Sequence, residues 1–328
     1  MVSTKKVSDY QYLIVGGTTK AATTSLFTYL ADHPTVCAAS YKETRFFLDK
    51  RYPLPSKYRY DADAEVYNLL FSECDENHLR LESTPDYLYC PAACERIATL
   101  LPNAKLVFSL REPISRLISW YRFAKQIGKL PQSVGFDDYI DLQFNIATSK
   151  GPKETIDPRD TNHEENITHE QHLQTLQQGC YAAYLKQYLQ RFGKERIHTL
   201  FYEELETQPL NVLEGVCHFA SIDKGFYKDY EFKVSNRTET MRNADIHQKY
   251  RSFRFQVRQW THNRPLIHRF LRGMKQAVEP FYLRLNTRPN KSISISEKTQ
   301  RRLMDYYKHD VRELTELIGR QPPWELFA

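Results

Sequence analysis

Residues 10–25 read Y-Q-Y-L-I-V-G-G-T-T-K-A-A-T-T-S. The opening apolar and aromatic run predicts a buried strand, and the two glycines that follow it predict a turn. Apolar residues at positions 26, 27 and 30 then predict a helix, which His33-Pro34 ends. The stretch therefore predicts a strand that passes through a polar loop into a helix.

The polar loop has the chemistry of a phosphate-binding site. The N-terminus of a helix presents backbone N–H groups and the positive end of its dipole, and both attract anions. Lys20 adds a positive charge, and hydroxyl donors follow at Thr23, Thr24 and Ser25. The loop is not a Walker A motif, because Lys20 comes early and no Ser or Thr follows it directly to bind magnesium. A plain threonine-rich turn is the alternative interpretation of this loop taken alone.

A second strand–turn–helix unit begins with the predicted strand Lys105–Leu110. The strand reads K-L-V-F-S-L and is followed by R-E-P-I-S-R-L-I-S-W-Y. Arg111 lies at the carboxyl end of that strand, where open α/β sheets bind their ligands. Ser119 follows two helical turns later, so we expect a guanidinium and a hydroxyl to converge on one anion.

The other predicted elements alternate along the chain: strands at 79–82 and 197–202, and helices at about 91–101, 170–192, 209–220 and 296–318. Such alternation predicts an α/β fold with a central, mostly parallel sheet flanked by helices. We expect a single domain over residues 8–328. Its nucleotide-binding core would lie at about 10–225 and a basic, helical C-terminal extension at about 240–328.

The composition is that of a globular protein, with 328 residues of which 41% are hydrophobic and 26% charged. The net charge of +6 attracts polyanions but does not select between nucleotide, nucleic acid and acidic lipid. Six cysteines are too few and too irregular for a disulfide scaffold, and no apolar run is long enough to span a membrane. We therefore expect a soluble, cytoplasmic protein with reduced thiols and no stable membrane insertion.

Two further segments have compositions that suggest binding functions. Lys249–Lys275 holds many arginines and several aromatic residues but no acidic residue. It is interpreted either as a membrane-surface or partner helix, or as a helical lid with a solvated basic face. His163, His169 and His172 do not share one face of a helix, which argues against a metal site.

Taken together, three motifs resemble the sulfotransferases that use PAPS (3′-phosphoadenosine 5′-phosphosulfate) as donor. They are T-K-A-A-T-T-S in the first loop, K-E-T-R-F-F at Lys42–Phe47, and R-E-P-x-x-R-x-x-S-W-Y from Arg111. The resemblance covers roughly residues 10–227. Within that family the chain is most similar to the carbohydrate branch, which includes the heparan sulfate N- and 3-O-sulfotransferases and bacterial relatives.

The resemblance implies a P-loop-like sulfotransferase fold and a set of site residues. Glu43 matches the catalytic glutamate of the family and Lys20 the cation of the transfer step. The resemblance further implies that the 5′-phosphosulfate is bound by Lys20, Ala21, Ala22, Thr23, Thr24 and Ser25, the 3′-phosphate by Arg111, Ser119 and Arg242, and the nucleotide by Tyr181. PAPS is then the co-substrate, PAP the product, and no metal is required.

The sequence departs from the family pattern in two places. Related phosphate loops usually have glycine where Ala21 and Ala22 stand. Alanine still presents its N–H if the backbone is helical or extended, so we expect the loop to keep its function. In the heparan enzymes E-K-[S/T]-x-x-Y contributes a lysine near the acceptor, but here residues 82–87 read E-S-T-P-D-Y. Lys20 is then the main cation for transfer.

The expected reaction is in-line transfer of a sulfuryl group to a hydroxyl or amine of a small molecule, such as a natural product or a sugar-like compound. Sulfation of a polysaccharide or a glycolipid is the alternative acceptor class. A P-loop-type kinase is the rival enzyme, and it predicts magnesium dependence. A non-catalytic, basic nucleotide- or nucleic-acid-binding module is the rival of another class, and it predicts strongly salt-dependent binding.

Overall fold

The computed structural model describes most of the chain: residues 6–50, 52, 56–61, 64–149, 174–233, 240–241, 287–288 and 293–327. Several residues singled out in the sequence lie outside this part of the chain: Arg242, the segment Lys249–Lys275, and His163, His169 and His172.

A five-stranded parallel sheet forms the centre of the fold. Its strands are β1 (Tyr12–Gly17), β2 (Val36–Ala38), β3 (Leu79–Ser83), β4 (Lys105–Leu110) and β5 (Ile197–Phe201). They lie in the order β2-β3-β1-β4-β5, and every pairing is parallel. All six residues of β1 are buried, as expected for a central strand covered by helices on both faces. The predicted α/β class and parallel sheet are confirmed.

The helices follow the predicted alternation. They are α1 (Thr23–Ala31), α2 (Pro91–Leu100), α3 (Pro113–Gln126), α4 (Phe136–Ser149), α5 (Tyr181–Phe192), α6 (Tyr202–Thr207), α7 (Pro209–Ala220) and α8 (Glu297–Ile318). Short 3₁₀ helices lie at Val7–Asp9, Ala64–Phe71, Pro85–Tyr89, Gln177–Gly179, Lys194–Arg196, Lys224–Tyr227 and Glu325–Phe327. None of the helices in the described ranges is both long and apolar enough to cross a bilayer.

The chain divides into two compact units. The first comprises Met1–Leu117, Ile140–Asn236 and Glu297–Ala328, and it contains the five-stranded sheet. The second comprises Ile118–Tyr139 and Arg237–Ser296, and it contains an antiparallel pair, β6 (Thr240–Met241) with β7 (Thr287–Arg288). The predicted division into a core at 10–225 and an extension at 240–328 stays a prediction.

The helix predicted from residue 170 begins later in the described part of the chain. Residues 177–179 form a 3₁₀ turn, and α5 starts at Tyr181. The carboxylate of Asp310, from α8, accepts the backbone N–H groups of Ala182 and Ala183 at 3.2 and 3.4 Å. A carboxylate satisfies the N–H groups that a helix leaves without intrahelical acceptors, so a residue distant in sequence marks this start.

A disulfide joins Cys37 of β2 to Cys74, with their Cα atoms 5.7 Å apart. The expectation of reduced thiols throughout is therefore wrong for this pair, whereas the other four cysteines are free. Disulfides persist mainly in oxidising compartments. The pair thus weighs against the predicted cytoplasmic location, which stays a prediction.

Candidate active site

The candidate site lies at the carboxyl ends of the neighbouring strands β1 and β4, from which the chain continues to opposite sides of the sheet. From β1 the chain passes to the edge strand β2 and returns to β3 between them, and it then crosses to β4 and β5 on the other side of β1. β1 and β4 are nevertheless direct neighbours, with Val15 opposite Val107. Ligands of open α/β sheets bind at such a switch point, beyond the carboxyl ends of the strands. The loop after β1 and the turn after β4 both start there.

Ser109, near the end of β4, fastens the first loop to the sheet. Its carbonyl accepts the N–H of Thr18 at 2.6 Å, and its hydroxyl donates to the carbonyl of Ala21 at 2.6 Å. Gly17 allows the first loop to approach Leu88 closely, because a Cβ at position 17 would lie 2.7 Å from Cβ of Leu88. No sequence motif marks Ser109.

Lys20 and Arg111 belong to one cluster. The Nη1 atom of Arg111 donates to the backbone carbonyl of Lys20 at 3.0 Å. Burial, followed by the charge of Arg111, lowers the pKa of Lys20 to about 8. Lys20 and Arg111 are neighbouring cations that are partly shielded from solvent. Such a pair favours the binding of an anion.

Arg111 is held from two sides. Its guanidinium carbon lies 4.0 Å from the centre of the Tyr202 ring, and its backbone carbonyl accepts the hydroxyl of Tyr181 at 2.7 Å. Tyr181 has no exposed surface, so it supports Arg111 from inside the protein. The contact between Tyr181 and a nucleotide stays a prediction. Within the described residues, Nε of Arg111 is buried without a hydrogen-bond partner, which leaves a charged donor for a ligand.

The backbone of the first loop is not helical or extended throughout, as was expected for the alanines that replace glycine. Ala22, which precedes α1, has φ +55° and ψ +24°, and Lys20 has φ +70°. Ala22 is therefore left-handed rather than helical or extended. This conformation costs a residue with a Cβ about 1–2 kcal/mol and costs glycine little. The strain explains why glycine suits this position.

Thr23, Thr24 and Ser25 lie in the first turn of α1, and Ala21 precedes that helix. Thr23 and Ser25 are buried and Thr24 is partly exposed, while Ala21 is fully buried. The first N–H groups of a helix have no acceptor within it, so this turn offers donors to an anion. Ser119 lies in α3 within the second unit and is buried.

Tyr89 is a neighbour of the loop that the sequence analysis missed. It ends the 3₁₀ helix Pro85–Tyr89, and its hydroxyl contacts Oγ1 of Thr18 and lies 3.5 Å from Oγ1 of Thr19. Its ring packs edge-on against Tyr184. No sequence motif marks this residue, because the contact depends on how the segment after β3 crosses the end of β1.

Glu43 lies on a loop that crosses the end of β3. Its N–H donates to the carbonyl of Ser83 at 2.9 Å. Its carboxylate pairs with Nζ of Lys42 at 3.2 Å and with the guanidinium of Arg45 at 2.9 Å. Burial opposes its ionisation, but the charges of Lys42 and Arg45 outweigh burial and hold the pKa of Glu43 below its ordinary value. Glu43 is thus ionised at neutral pH.

Asp86 is a second carboxyl group in this region, and the charge of Glu43 affects its pKa. Asp86 accepts the hydroxyl of Tyr52 at 2.8 Å. Burial raises the pKa of Asp86 to about 6, the hydrogen bond from Tyr52 opposes that shift, and the charge of Glu43 adds to it. Two carboxyls whose surroundings push their pKa values apart are typical of a site for proton transfer.

In the described part of the chain, no group of three His, Cys, Asp or Glu side chains is placed to hold a metal ion. The donors at the switch point are cations, hydroxyls and N–H groups. This donor set fits a ligand with two anionic ends, such as PAPS.

The sulfotransferase domain family matches residues 11–269. The chain belongs to this family. The match covers well over half of the chain, and it confirms both the resemblance and the enzyme class that the three motifs predicted.

Curated relatives of this sulfotransferase come from the carbohydrate branch and beyond it. The bifunctional heparan sulfate N-deacetylase/N-sulfotransferase 1 of Caenorhabditis briggsae is 26% identical over an alignment of 217 positions, and the match covers 64% of this chain. The membrane-associated sulfotransferase kil1 of Dictyostelium discoideum is 28% identical over an alignment of 282 positions, and the match covers 68% of this chain. The matches span only 22% and 58% of those relatives.

The fold of this sulfotransferase recurs in a solved structure. A sulfotransferase from Alicyclobacillus acidocaldarius superimposes with a TM-score of 0.59 at 19% identity. The superposition covers 95% of this chain and 97% of the other. The predicted sulfotransferase fold is confirmed.

Proposed function

We propose that this sulfotransferase moves the sulfuryl group of PAPS to a hydroxyl or amine of a small acceptor, with Lys20 and Glu43 as its catalytic residues. The observation that carries the proposal is the hydrogen bond from Arg111 to the Lys20 carbonyl, 3.0 Å long. It brings two basic residues from different strand ends to the switch point of one sheet. PAPS, when bound, supplies an activated sulfuryl group on a nucleotide leaving group.

Lys20 and the start of α1 hold the anionic leaving group in this proposal. Negative charge builds on the nucleotide as transfer proceeds, and a fixed cation with oriented N–H groups stabilises that charge. Arg111, supported by Tyr181 and Tyr202, binds the far phosphate. Ser119 and Arg242 are proposed as further ligands of that phosphate.

Glu43 takes the proton of the acceptor. Its ion pairs with Lys42 and Arg45 keep it ionised at neutral pH, which a general base requires. The same ion pairs lower the basicity of Glu43, so it accepts a proton less readily than an unpaired carboxylate does. Lys42 and Arg45 also bring positive charge to the acceptor side, where the heparan enzymes have a lysine and this chain has Ser83.

Two acceptor classes follow from different observations. Ser83 in place of the family lysine favours a small molecule, such as a natural product or a sugar-like alcohol. The names of the heparan sulfate N-sulfotransferase relatives favour an amine on a polysaccharide. A cytoplasmic location remains part of the first alternative only.

A thermal-shift experiment with three ligands tests the donor. We expect PAP to raise the Tm of the full chain, and we expect ATP with magnesium or a short RNA to leave it unchanged. Stabilisation by ATP–magnesium alone would support the kinase, and salt-sensitive stabilisation by RNA alone would support the nucleic-acid-binding module.

Turnover is measured as PAP release from PAPS with p-nitrophenol, glucosamine and N-desulfated heparin as acceptors. Lys20→Ala and Glu43→Gln should each remove most turnover, by about 10²-fold or more. PAP affinity should fall much further for Lys20→Ala than for Glu43→Gln. A normal rate for Glu43→Gln with an alcohol acceptor contradicts its role as base.

A further inference from the structure

A fully buried carboxylate lies beneath the loop that carries Glu43. Glu82, in β3, has no exposed surface. Its Oε1 accepts the hydroxyls of Thr44, Thr84 and Tyr87 at 2.6, 2.7 and 2.9 Å, and its Oε2 accepts the hydroxyl of Tyr67 at 3.2 Å. Burial raises the pKa of Glu82, while these four hydrogen bonds oppose that shift.

Three of these hydroxyls also accept backbone N–H groups from consecutive loop residues. Arg45 N–H donates to Thr84 Oγ1 at 3.1 Å, Phe46 N–H to Thr44 Oγ1 at 3.3 Å, and Phe47 N–H to Tyr87 Oη at 3.3 Å. A hydroxyl has one proton to give. Each of the three hydroxyls donates its proton to Glu82. Each therefore contacts the loop only as an acceptor, through the lone pairs of its oxygen.

The hydroxyl of Tyr67 differs from the other three. The Tyr67 hydroxyl donates to Glu82. In the described part of the chain, the backbone N–H groups of residues 45–47 donate to the other three hydroxyls and not to that of Tyr67. Tyr67 and Tyr87 are both fully buried. The pair therefore offers two matched hydroxyls, of which one reaches the loop and one does not.

The loop needs such support because its backbone is strained. Glu43 and Arg45 have φ values of +61° and +58°. Left-handed residues with a Cβ persist only where their surroundings hold them. The Ser83 carbonyl holds the N–H of Glu43 at 2.9 Å, and the hydroxyl layer on Glu82 holds the next N–H groups.

We propose that Glu82 is a positioning residue for catalysis: through Thr44, Thr84 and Tyr87 it orients the N–H groups of residues 45–47 and so fixes the strained backbone from which Glu43 reaches the acceptor. This inference rests on the proposed role of Glu43 as base. Glu82 acts through the hydroxyls and does not touch the substrate.

Two matched tyrosine variants test the proposal. Tyr87→Phe removes a hydroxyl that joins Glu82 to the loop, and Tyr67→Phe removes one that joins Glu82 alone. We expect Tyr87→Phe to lower kcat about tenfold, as loss of a positioning contact does, and Tyr67→Phe to stay within about twofold of the wild type. PAP affinity should stay within about twofold for both. Equal kcat values for the two variants overturn the proposal.

Two substitutions of Glu82 itself give a second readout. Glu82→Gln keeps an oxygen at the position that accepts three hydroxyls, and its amide nitrogen can donate to Tyr67. Glu82→Leu removes every acceptor. We expect turnover to fall less than about fivefold in Glu82→Gln and at least about 30-fold in Glu82→Leu, with faster amide hydrogen exchange at residues 45–47 only in the latter. Equal exchange and equal kcat in the two variants overturn the proposal.

Glu43→Gln in the same assays separates the two ways of failing. Retained turnover in Glu43→Gln refutes the base assignment and thus the proposed function. Lost turnover in Glu43→Gln, together with equal rates for the two tyrosine variants, refutes the role of Glu82 alone. The exchange rates at 45–47 do not depend on any acceptor, so they report on the network even if p-nitrophenol and glucosamine are both poor substrates.

Discussion

The guanidinium of Arg111 and the backbone of Lys20 are joined by a hydrogen bond of 3.0 Å. The bond links the loop after β1 to the turn after β4, and it brings two positive charges into a half-buried space. The mutual repulsion contributes to the lowered pKa of Lys20. A polyanionic ligand offsets that repulsion, so the two neighbouring charges favour its binding.

Removing Arg111 should weaken donor binding more than it changes the chemical step. We expect Arg111→Gln to reduce PAP affinity by about 10- to 100-fold, since a charged hydrogen bond contributes roughly 1.5–3 kcal/mol. Isothermal titration calorimetry with PAP measures the effect. Arg301→Ala is the control, because Arg301 is an exposed residue paired only with Glu297 in the described structure. A similar loss in both variants would mean that overall charge, and not this site, binds PAP.

PAP binding should weaken as the pH rises past 8. The pKa of Lys20 is lowered to about 8, so the side chain loses its charge above that pH, and an anion prefers the charged form. We expect the Kd for PAP to rise several-fold between pH 7.5 and 9.5. In Lys20→Arg the Kd should stay flat over the same range, because arginine remains charged. A parallel rise in Lys20→Arg assigns the titration to another group.

Arg45 should set the acidic limb of the pH–rate profile. Burial raises the pKa of Glu43, but the charges of Lys42 and Arg45 lower it by more, so the net shift is downward. Arg45→Gln removes one of these charges, so the pKa of Glu43 should rise and its ionised form should be lost at a higher pH. The acidic limb of kcat/KM then moves upward. An unmoved limb would show that Glu43 is not the group that titrates there.

Glycine should be better than alanine at position 22 and worse at position 21. Ala22 has φ +55°, so Ala22→Gly removes left-handed strain and should raise the free energy of unfolding by about 1 kcal/mol. Ala21 is fully buried and does not have a positive φ. Ala21→Gly should therefore lower it by about 1 kcal/mol. Chemical denaturation of both variants measures the difference, and a shared sign contradicts the loop geometry.

The Cys37–Cys74 disulfide should stabilise the segment that carries Glu43. The two cysteines are 37 positions apart, and closing such a loop contributes about 3–4 kcal/mol by restricting the unfolded chain. We expect a reducing agent to lower the Tm of the wild type and to leave a double Cys37→Ser, Cys74→Ser variant unchanged. A Tm that does not respond to the reducing agent in either protein would show that the bond does not form in solution.

Much of the architecture follows from local patterns. The apolar run before Gly16-Gly17 predicts β1, although the strand also includes the two glycines that were expected to form a turn, and the predicted strand Lys105–Leu110 has the bounds of β4. The polar loop after β1 and Arg111 after β4 were recognised as an anion site because both follow strand ends. Such signals depend on residue type and on neighbours a few positions away, which a sequence displays directly.

The partners of those residues were decided by tertiary structure. Ser109 donates a hydrogen bond to the first loop, and the hydroxyl of Tyr89 contacts Thr18 across 71 positions of sequence. Glu82 accepts the hydroxyl of Thr44 from 38 positions away. The sequence pattern places Glu82 only at the end of the predicted strand 79–82. Nothing in its local pattern shows that four hydroxyls surround it.

What the sequence alone determined is thus the order of strands and helices and the two strand ends that can bind an anion. Strand order across the sheet, the left-handed backbone at Ala22 and Glu43, and the disulfide were decided only by the folded chain. The physical reason is that each depends on which distant segments pack side by side. Hydrogen bonds and burial then select a backbone that local preference disfavours.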